Sequence, residues 1–532
     1  MAGSLISMTS SATARLETRN PERLPGLREE EGRAGLRARR LLGGLCLVAV
    51  SLVVFGASGR IARGDRLDMP VVVTGHQLTL WASRPIGEVY AFVYEATSGT
   101  WATIPYQIDE RVWVELATCL NDPSYGNVDQ HLSYVFSGTE GNGLDDDDEI
   151  VLLAGDAAGD QAPVTAWPSG TQDVRYQLRI DDGLGATLGY AYLFTATAPP
   201  APPDPTDYVQ LSFVPIDATL EDTTIATDRY SAHYSGRWRL DQLAIPPTGG
   251  GSGADMIDRL KFREATSANA TGGETEETWD QFSCFLGQKD GPVRVIREIQ
   301  GAASGVNTTH TVSLYESLFD DRVNLRVHAI PNVVSFVDYN ASITTTSALT
   351  YYNPTNGSGV TIDGQPDPGM DLTLNNWEMV SHPAVGALFF HRAEPIPVPA
   401  QSRSMFFFED DDFVDTTGDD EPGRYGCHGV FMSQIASTDE PGDEAVLVLT
   451  TRPLPAATGN QGATLASEVG NPPFAVAAAQ TRAAAVPALV PTGVVALMGA
   501  LLTTGMAGLV RQHGGRRGTH ESFASRGYRS AP

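Results

Sequence analysis

The side chains best suited to chemistry in this sequence form two acidic runs. The first run precedes an apolar stretch with strand character and contains Asp145, Asp146, Asp147, Asp148 and Glu149. The second run follows an aromatic stretch and includes Asp410 and Asp412. Ca²⁺ prefers several hard oxygen ligands, which carboxylates and backbone carbonyls supply. We therefore expect Ca²⁺ as the cofactor that orders these loops. No glycine follows the acidic positions as in an EF-hand, and solvated acidic turns are the alternative.

Aromatic side chains beside loops rich in Asn, Asp and Gly form a second candidate group. They are Trp238, Trp279, Trp377 and Tyr351, with Tyr352 next to the last of them. A flat ring can stack on the apolar face of a sugar while a nearby Asp or Asn binds the hydroxyls. These positions are the predicted glycan-binding residues. The alternative is that the rings fill the core of a β-sandwich.

Motifs that identify an enzyme are absent from the sequence. The chain has no HExxH, no G-x-S-x-G elbow, no G-x-x-x-x-G-K-[ST] loop and no dinucleotide fingerprint after a strand. The polar residues on or near strands that could still build a lyase or glycosidase site are His328, His382, His391, His428, Arg294, Arg297, Asp338, Asp363 and Glu378. Ordinary hydrogen-bonded or exposed residues explain them equally, so no catalytic residue is assigned. One cleft of the second domain that gathers Arg, His and carboxylate would favour an enzyme.

Short strands must carry all of these residues. Runs rich in Val, Ile, Leu and aromatics alternate with Gly, Asn, Asp and Pro clusters along most of the chain. A Pro-rich stretch at 197–207 predicts a stiff linker. The sequence therefore predicts an all-β protein with a β-sandwich domain at 65–196 and a larger β-sandwich domain at 208–455.

Hydrophobic stretches near both ends predict export and anchoring. Residues 1–59 are typical of a signal segment with a long basic n-region, and an uncleaved anchor is the alternative. Residues 456–482 are rich in Ala, Gly, Thr and Pro, which favours a flexible stalk. Residues 483–510 carry no charge and are long enough for a transmembrane helix, and the basic tail at 511–532 favours a cytoplasmic end. We expect a membrane-anchored body at the cell surface, outside the cytoplasm.

Charge and cysteine content restrict the partners further. The net charge of −28 repels nucleic acid, so no nucleic-acid partner is expected. Cys46 lies inside the signal segment, whereas Cys119, Cys284 and Cys427 could supply one disulfide and one spare thiol. The sequence leaves the pairing open.

Several motifs resemble those of known families. Residues 104–110 (IPYQIDE), 144–151 (LDDDDEIV) and 154–156 (AGD) resemble a pattern in uncharacterised secreted β-proteins. Residues 291–298 resemble a strand of large β-sandwich carbohydrate-active proteins, including some polysaccharide lyases. The short motif, apolar helix and basic cluster at 486–517 resemble the sorting tags of prokaryotic surface proteins. That resemblance implies an exosortase- or archaeosortase-like sorting transpeptidase as a partner, whereas a plain tail helix would stay in the membrane.

These patterns together favour a non-catalytic, cell-surface anchored protein for adhesion or envelope structure. Its expected partner is a glycan or another cell-envelope polymer. A surface carbohydrate-active enzyme such as a polysaccharide lyase is the alternative. A surface-layer component is a third possibility.

Overall fold

The computed structural model describes residues 66–482, except for 117–129, 217–219, 265–272, 303–304, 306, 328, 345–348, 394–399, 415–420 and 439–444. The signal segment 1–59, the apolar stretch 483–510 and the basic tail 511–532 lie outside these residues, so the predictions made for them stay predictions. No helix within the described residues is long and apolar enough to cross a membrane.

The described chain is built mainly from antiparallel strands with a few short helices. The strands are β1 (Pro70–Thr74), β2 (Val89–Glu95), β3 (Thr100–Thr103), β4 (Gln107–Asp109), β5 (Arg111–Glu115), β6 (Gln130–Tyr134), β7 (Glu149–Leu153), β8 (Val174–Asp181), β9 (Thr187–Thr195), β10 (Gln210–Pro215), β11 (Leu220–Ala226), β12 (Ser231–Gly236), β13 (Leu240–Ala244), β14 (Ile257–Glu264), β15 (Cys284–Lys289), β16 (Arg294–Gln300), β17 (Thr309–Tyr315), β18 (Phe319–Leu325), β19 (Ile330–Tyr339), β20 (Thr350–Tyr352), β21 (Val360–Thr361), β22 (Trp377–His382), β23 (Gly386–Arg392), β24 (Ala400–Asp410), β25 (Arg424–Ile435), β26 (Ala445–Leu454) and β27 (Phe474–Thr481). The α-helices are α1 (Glu276–Gln281), α2 (Ala341–Thr344) and α3 (Gly462–Gly470).

The first pair of sheets contains strands in which every second side chain is buried. In β8 the alternate residues Tyr176, Leu178 and Ile180 are buried, which is the pattern of a strand with one face on a core. This strand belongs to a five-stranded sheet of order β27-β8-β9-β2-β3. A three-stranded sheet of order β1-β7-β4 contributes Val73 and Ile150 to the same core. The N-terminal region is therefore a small β-sandwich.

A larger core lies between a four-stranded and a nine-stranded sheet. The first has the order β14-β19-β25-β24 and the second the order β15-β16-β17-β18-β26-β23-β22-β20-β21. Leu260, Val337 and Val430 of the first sheet share one buried cluster with Val312 and Leu388 of the second. A further sheet of order β10-β11-β12-β13 adds to this cluster. The prediction of an all-β architecture of packed sheets is confirmed.

The Pro-rich stretch 197–207 forms neither strand nor helix. The regions on its two sides are in direct contact, because Met69 and Leu153 share a small apolar cluster with Val293 and Leu318. All described residues belong to one compact unit. This contact places residues from both regions around one site.

Residues 456–482 differ from the flexible stalk predicted for them. Helix α3 packs Leu465 against Trp377, and β27 pairs with β8 along its full length. The Ala-rich composition concealed this strand, because the edge of the small sandwich accepts short side chains such as Ala475, which is buried there. The stalk prediction is therefore corrected to a helix and an edge strand.

The described cysteines are in two different states. Cys284 is disulfide-bonded, and Cys427 is a free thiol that is fully buried. Burial raises the pKa of the Cys427 thiol well above its ordinary value, so this group stays protonated and unreactive. Cys46 and Cys119 lie outside the described residues.

Candidate functional site

A polar cleft lies where the two regions meet. One wall is the hairpin of β5 and β6, and the floor is the face of β16, β17 and β18 that points away from the large core. The cleft has a volume of about 340 Å³, which is the size of a small-ligand site. Charged and polar side chains line most of it, unlike the smaller apolar gaps inside the large sandwich.

Strand register assembles the floor of the cleft. Glu298 of β16 lies opposite Thr311 of β17, which lies opposite Arg322 of β18. Directly opposite residues of antiparallel strands project from the same face. A carboxylate, a hydroxyl and a guanidinium therefore form one row across the floor. Thr311 Oγ1 donates a hydrogen bond to Glu298 Oε1 at 2.8 Å, while the neighbouring Val312 points into the core.

His131 and Glu298 form an acid–base pair in the cleft. Nε2 of His131 lies 2.9 Å from Oε1 of Glu298, and Ser133 of the same hairpin donates to the other carboxylate oxygen. The side chain of His131 is 16% exposed and that of Glu298 is 1% exposed, so the imidazole is the accessible member. A carboxylate bound to one ring nitrogen fixes the orientation and tautomer of an imidazole. The pair can therefore hold a ligand hydroxyl or position a proton.

Trp113 places an exposed aromatic ring on the wall of the cleft. It is 60% exposed and lies on β5 opposite Leu132 of β6. Strand alternation puts Arg111 and Glu115 on the same face of β5 as this tryptophan. A flat ring beside hydrogen-bonding groups is a means of holding the apolar face of a sugar.

A buried ion network fixes the hairpin to the floor. Arg294 of β16 donates to Glu149 at 2.5 Å and to Asp109 at 2.9 Å. Tyr134 of the hairpin donates its hydroxyl to the same Glu149 at 3.2 Å. Burial alone would raise the pKa of Asp109, but Arg294 and Lys289 hold that pKa below its ordinary value. The walls of the cleft are therefore positioned before any ligand binds.

The first acidic run contains a compact group of three carboxylates beside the cleft. Asp145, Asp147 and Asp148 each place an oxygen within 4.8 Å of the others. Asp148 is buried and accepts the backbone N–H of Arg111 at 2.9 Å. Burial raises the pKa of Asp148 to about 6, and a hydrogen bond with Asp145 raises the pKa of Asp147 to about 6. Crowded carboxylates of this kind suit a divalent cation.

The remaining predicted metal ligands divide into two groups. Asp146 is solvent-exposed and outside this trio, and Glu149 binds Arg294 in the cleft. In the second run Asp410 and Asp412 do come together, with Asp411 as a third carboxylate within 4.8 Å. The expectation of Ca²⁺ stays a prediction.

The four aromatic positions predicted to bind glycan lie in the protein core. Their exposed fractions are 1% for Trp238, 6% for Trp279, 6% for Trp377 and 0% for Tyr351. The rings of Trp238 and Trp279 pack edge to face with centroids 5.1 Å apart. A ring with no open face cannot stack on a polysaccharide, so these positions are corrected to packing residues. Trp113 instead provides an open ring.

The polar residues considered for catalysis in the second half do not gather in one cleft. Glu378 and His428 do meet, with 3.1 Å between a carboxylate oxygen and Nδ1, but both are fully buried in the large sandwich. Arg297 pairs with Glu221 in a separate buried site. Asp338 pairs with a buried lysine in a third. These networks stabilise the sandwich and leave no room for a polymer.

The other members of that set are also dispersed. Arg294 anchors the cleft through Glu149. His382 is buried at the end of β22, His391 is half-buried on β23, and Asp363 is exposed in a loop. His328 lies outside the described residues.

Sequence reasoning missed Trp113, His131, Glu298 and Arg322. Trp113 did carry a local signal, because charged residues two positions before and after it place it on the polar face of a strand. Glu298 ends the stretch 291–298 that resembles a strand of carbohydrate-active proteins, whereas His131 and Arg322 carried no signal. His131 and Glu298 are 167 residues apart in sequence, and only the packing of distant strands brings them together.

Comparisons with known proteins assign no family to the chain. No family model matches it, and no curated protein matches it significantly. Among solved structures, the GalM/aldose epimerase homologue from C. elegans overlaps with 9% identity and a TM-score of 0.26, over 47% of this chain and 100% of that one. The 4-alpha-glucanotransferase from Thermococcus litoralis overlaps with 9% identity and a TM-score of 0.25, over 46% of this chain and 39% of that one. At these TM-scores the overlap carries no argument about this chain.

Proposed function

We propose that this protein binds a glycan in the cleft between the β5–β6 hairpin and strands β16–β18. The observation that carries this proposal is the exposed ring of Trp113 in the same cleft as the polar row Glu298, Thr311 and Arg322. A sugar has apolar ring faces and polar hydroxyls. An aromatic platform beside hydrogen-bonding side chains complements both.

Non-catalytic binding is the function that these contacts favour. Glu298 already accepts hydrogen bonds from His131, Ser133 and Thr311. A carboxylate held in this way is poorly placed to act as a nucleophile or as a general base toward a substrate. The fixed walls reduce the ordering that binding requires, which benefits affinity.

We also propose that the protein works at the cell surface in adhesion or envelope structure, anchored by residues 483–510. Support comes from the uncharged run at 483–510 and the signal-like segment 1–59. Membrane fractionation of the full chain, compared with a chain that ends at 482, tests the anchor. Intact mass of the extracted protein tests cleavage by a sorting transpeptidase, because a cut tail removes the mass of the C-terminal helix.

The binding experiment is a panel of immobilised polysaccharides probed with the purified full chain. Each polymer is tested with Ca²⁺ and with a chelator, and both bound protein and polymer chain length are measured. Saturable binding without chain cleavage is the expected result. Failure to bind any neutral or acidic polysaccharide would overturn the proposal and favour a scaffold or surface-layer role.

A polysaccharide lyase is the second candidate, favoured by the contact between His131 and Glu298. β-Elimination requires a base that removes a proton beside a uronate carboxylate and a cation that neutralises that carboxylate. His131 and Arg322 are residues of these types in one cleft. Release of products with an unsaturated, ultraviolet-absorbing end, abolished in His131→Ala, would replace the non-catalytic proposal.

A further inference from the structure

The two carboxylates that line the cleft are already engaged by the protein. Glu298 accepts from a histidine, a serine and a threonine, and Glu149 accepts from an arginine and a tyrosine. The hydroxyl groups of a neutral sugar would find these carboxylates occupied. A ligand that brings acceptors of its own is therefore better matched to this cleft than one that brings donors.

Arg322 is a donor that the protein leaves exposed in the cleft. Within the described residues its guanidinium makes no ion pair, and its one hydrogen bond is a long contact of 3.5 Å from Nε to Asn324 Oδ1. A guanidinium presents a planar fork of N–H groups that fits the paired oxygens of a carboxylate or a sulfate. Because Arg322 lies in one row with Thr311 and Glu298, its guanidinium lies at the floor of the cleft.

The charge of the cleft differs from that of the chain. Three arginines, Arg111, Arg322 and Arg326, line it with two carboxylates, Glu149 and Glu298, whereas the chain as a whole carries a net charge of −28. Among the side chains that line the cleft, arginines therefore outnumber carboxylates by one, while Asp145, Asp147 and Asp148 lie beside it. Walls of low dielectric strengthen such a local field, so an anion repelled by most of the surface is attracted here.

We propose that the cleft selects anionic glycans and that Arg322 binds their carboxylate or sulfate groups while Trp113 stacks on a sugar ring. This inference rests on the proposed function, because it names the ligand class of the same cleft. Selection of a glycan by its charge and binding of a glycan are separate properties. The cleft can therefore bind glycans without preferring anionic ones.

The test compares polymers that share a backbone and differ in charge. The full chain is titrated with polygalacturonate and with its fully methyl-esterified form, and in a second arm with dextran sulfate and dextran. We expect polygalacturonate to bind at least about tenfold more tightly than its ester, with the preference weakened by salt. The dextran arm distinguishes a sulfate from a carboxylate as the preferred anion.

Substitutions of Arg322 test whether this residue provides the preference for anionic polymers. In Arg322→Gln the preference for the acidic polymer should fall by about tenfold with binding of the ester unchanged, and Arg322→Lys should retain part of it because it keeps the charge without the fork. Arg179→Gln is the matched control, since Arg179 is an exposed arginine on β8 that does not line the cleft. Thermal unfolding of each variant checks that it is folded.

The outcomes separate the two proposals. Equal affinity for the charged and uncharged polymers in both arms, or an undiminished preference in Arg322→Gln, overturns the inference and leaves glycan binding intact. No binding of any polymer overturns the proposed function and with it the inference. A preference for either anion that Arg322→Gln removes supports both.

Discussion

Two pairs of histidine and glutamate lie at nearly the same distance in very different surroundings. In the cleft, His131 lies 2.9 Å from Glu298, and in the large sandwich His428 lies 3.1 Å from Glu378. His131 keeps 16% of its side chain exposed, whereas the interior pair keeps 1% and 0%. Access to solvent, and not residue type, therefore separates a pair that can meet a ligand from a pair that holds the fold.

Further polar side chains surround the interior pair of His428 and Glu378. The hydroxyl of Tyr339 lies 2.8 Å from Nε2 of His428, and Tyr351 donates to Glu378 at 2.8 Å. Arg392 lies 2.6 Å from the other oxygen of Glu378. A buried charge that loses one partner leaves the others uncompensated. In the cleft pair, the imidazole of His131 is open to solvent and can bind water when it loses its partner.

The largest expected effect is on the stability of the interior pair. Glu378→Gln should lower the free energy of unfolding by about 3 kcal/mol, because Arg392 and His428 would then face no carboxylate in a buried site. Glu298→Gln should lower it by only about 1 kcal/mol, since the partly exposed His131 can bind water in place of the carboxylate. Denaturant unfolding of both variants measures the difference. Equal losses would remove the distinction between the two pairs.

The stability gap between the wild type and Glu378→Gln should depend on pH. Burial would raise the pKa of Glu378, but Arg392 and His428 outweigh it and hold that pKa below its ordinary value of 4.5. A lowered pKa stabilises the folded state above the ordinary pKa, and this contribution is lost as pH falls through the folded value. The gap should therefore be full at neutral pH and shrink below about pH 4.5. A gap that widens on acidification would contradict the pairing.

A smaller effect, on affinity and not on stability, is expected in the cleft. Trp113→Ala should weaken glycan binding about tenfold, or by about 1.4 kcal/mol, because the stacking face is lost. Its unfolding curve should match that of the wild type, since the ring is exposed. Leu80→Ala is the matched control: Leu80 and Trp113 are each 60% exposed, and Leu80 does not line the cleft. Titration with the best polymer of the panel measures both.

The smallest expected effect concerns the acidic loop beside the cleft. Saturating Ca²⁺ should raise the thermal midpoint by about 1–3 °C relative to chelator, because a cation relieves the crowding of Asp145, Asp147 and Asp148. The shift should disappear in Asp147→Asn and persist in Asp146→Asn, which alters a carboxylate outside the trio. Asp148 accepts the backbone N–H of Arg111 in the cleft wall, so glycan affinity should fall modestly in chelator. A shift that survives in Asp147→Asn would exclude this trio as the cation site.

The sheets could be predicted from sequence further than the site could. Alternation in stretches such as 174–181 identifies strands, because the burial of every second side chain is a local property. Whether a ring such as Trp238 faces a core or a ligand depends on which sheet packs against its strand. That information is not local.

The cleft was harder to predict from sequence than the strands, for the same reason. Glu298 sits in a stretch whose resemblance to a carbohydrate-active strand was visible, yet its partner His131 belongs to a hairpin far away in sequence. The acidic trio was easier to predict, since Asp145, Asp147 and Asp148 are neighbours in one loop. Sites built from one segment can be predicted from sequence, whereas sites built from register between segments require the fold.

The pairing of β27 with β8 also sets the order in which the molecule can be completed. Strand β8 is synthesised early, and Phe474–Thr481, the strand that pairs with its open edge, follows nearly three hundred residues later. An unpaired edge is where a strand of another chain can add. A chain released before residue 474 would therefore leave this side of β8 unpaired, whereas a longer chain covers it with β27, which becomes the edge strand of the sheet. The five-stranded sheet is therefore complete only after residue 481 has been synthesised.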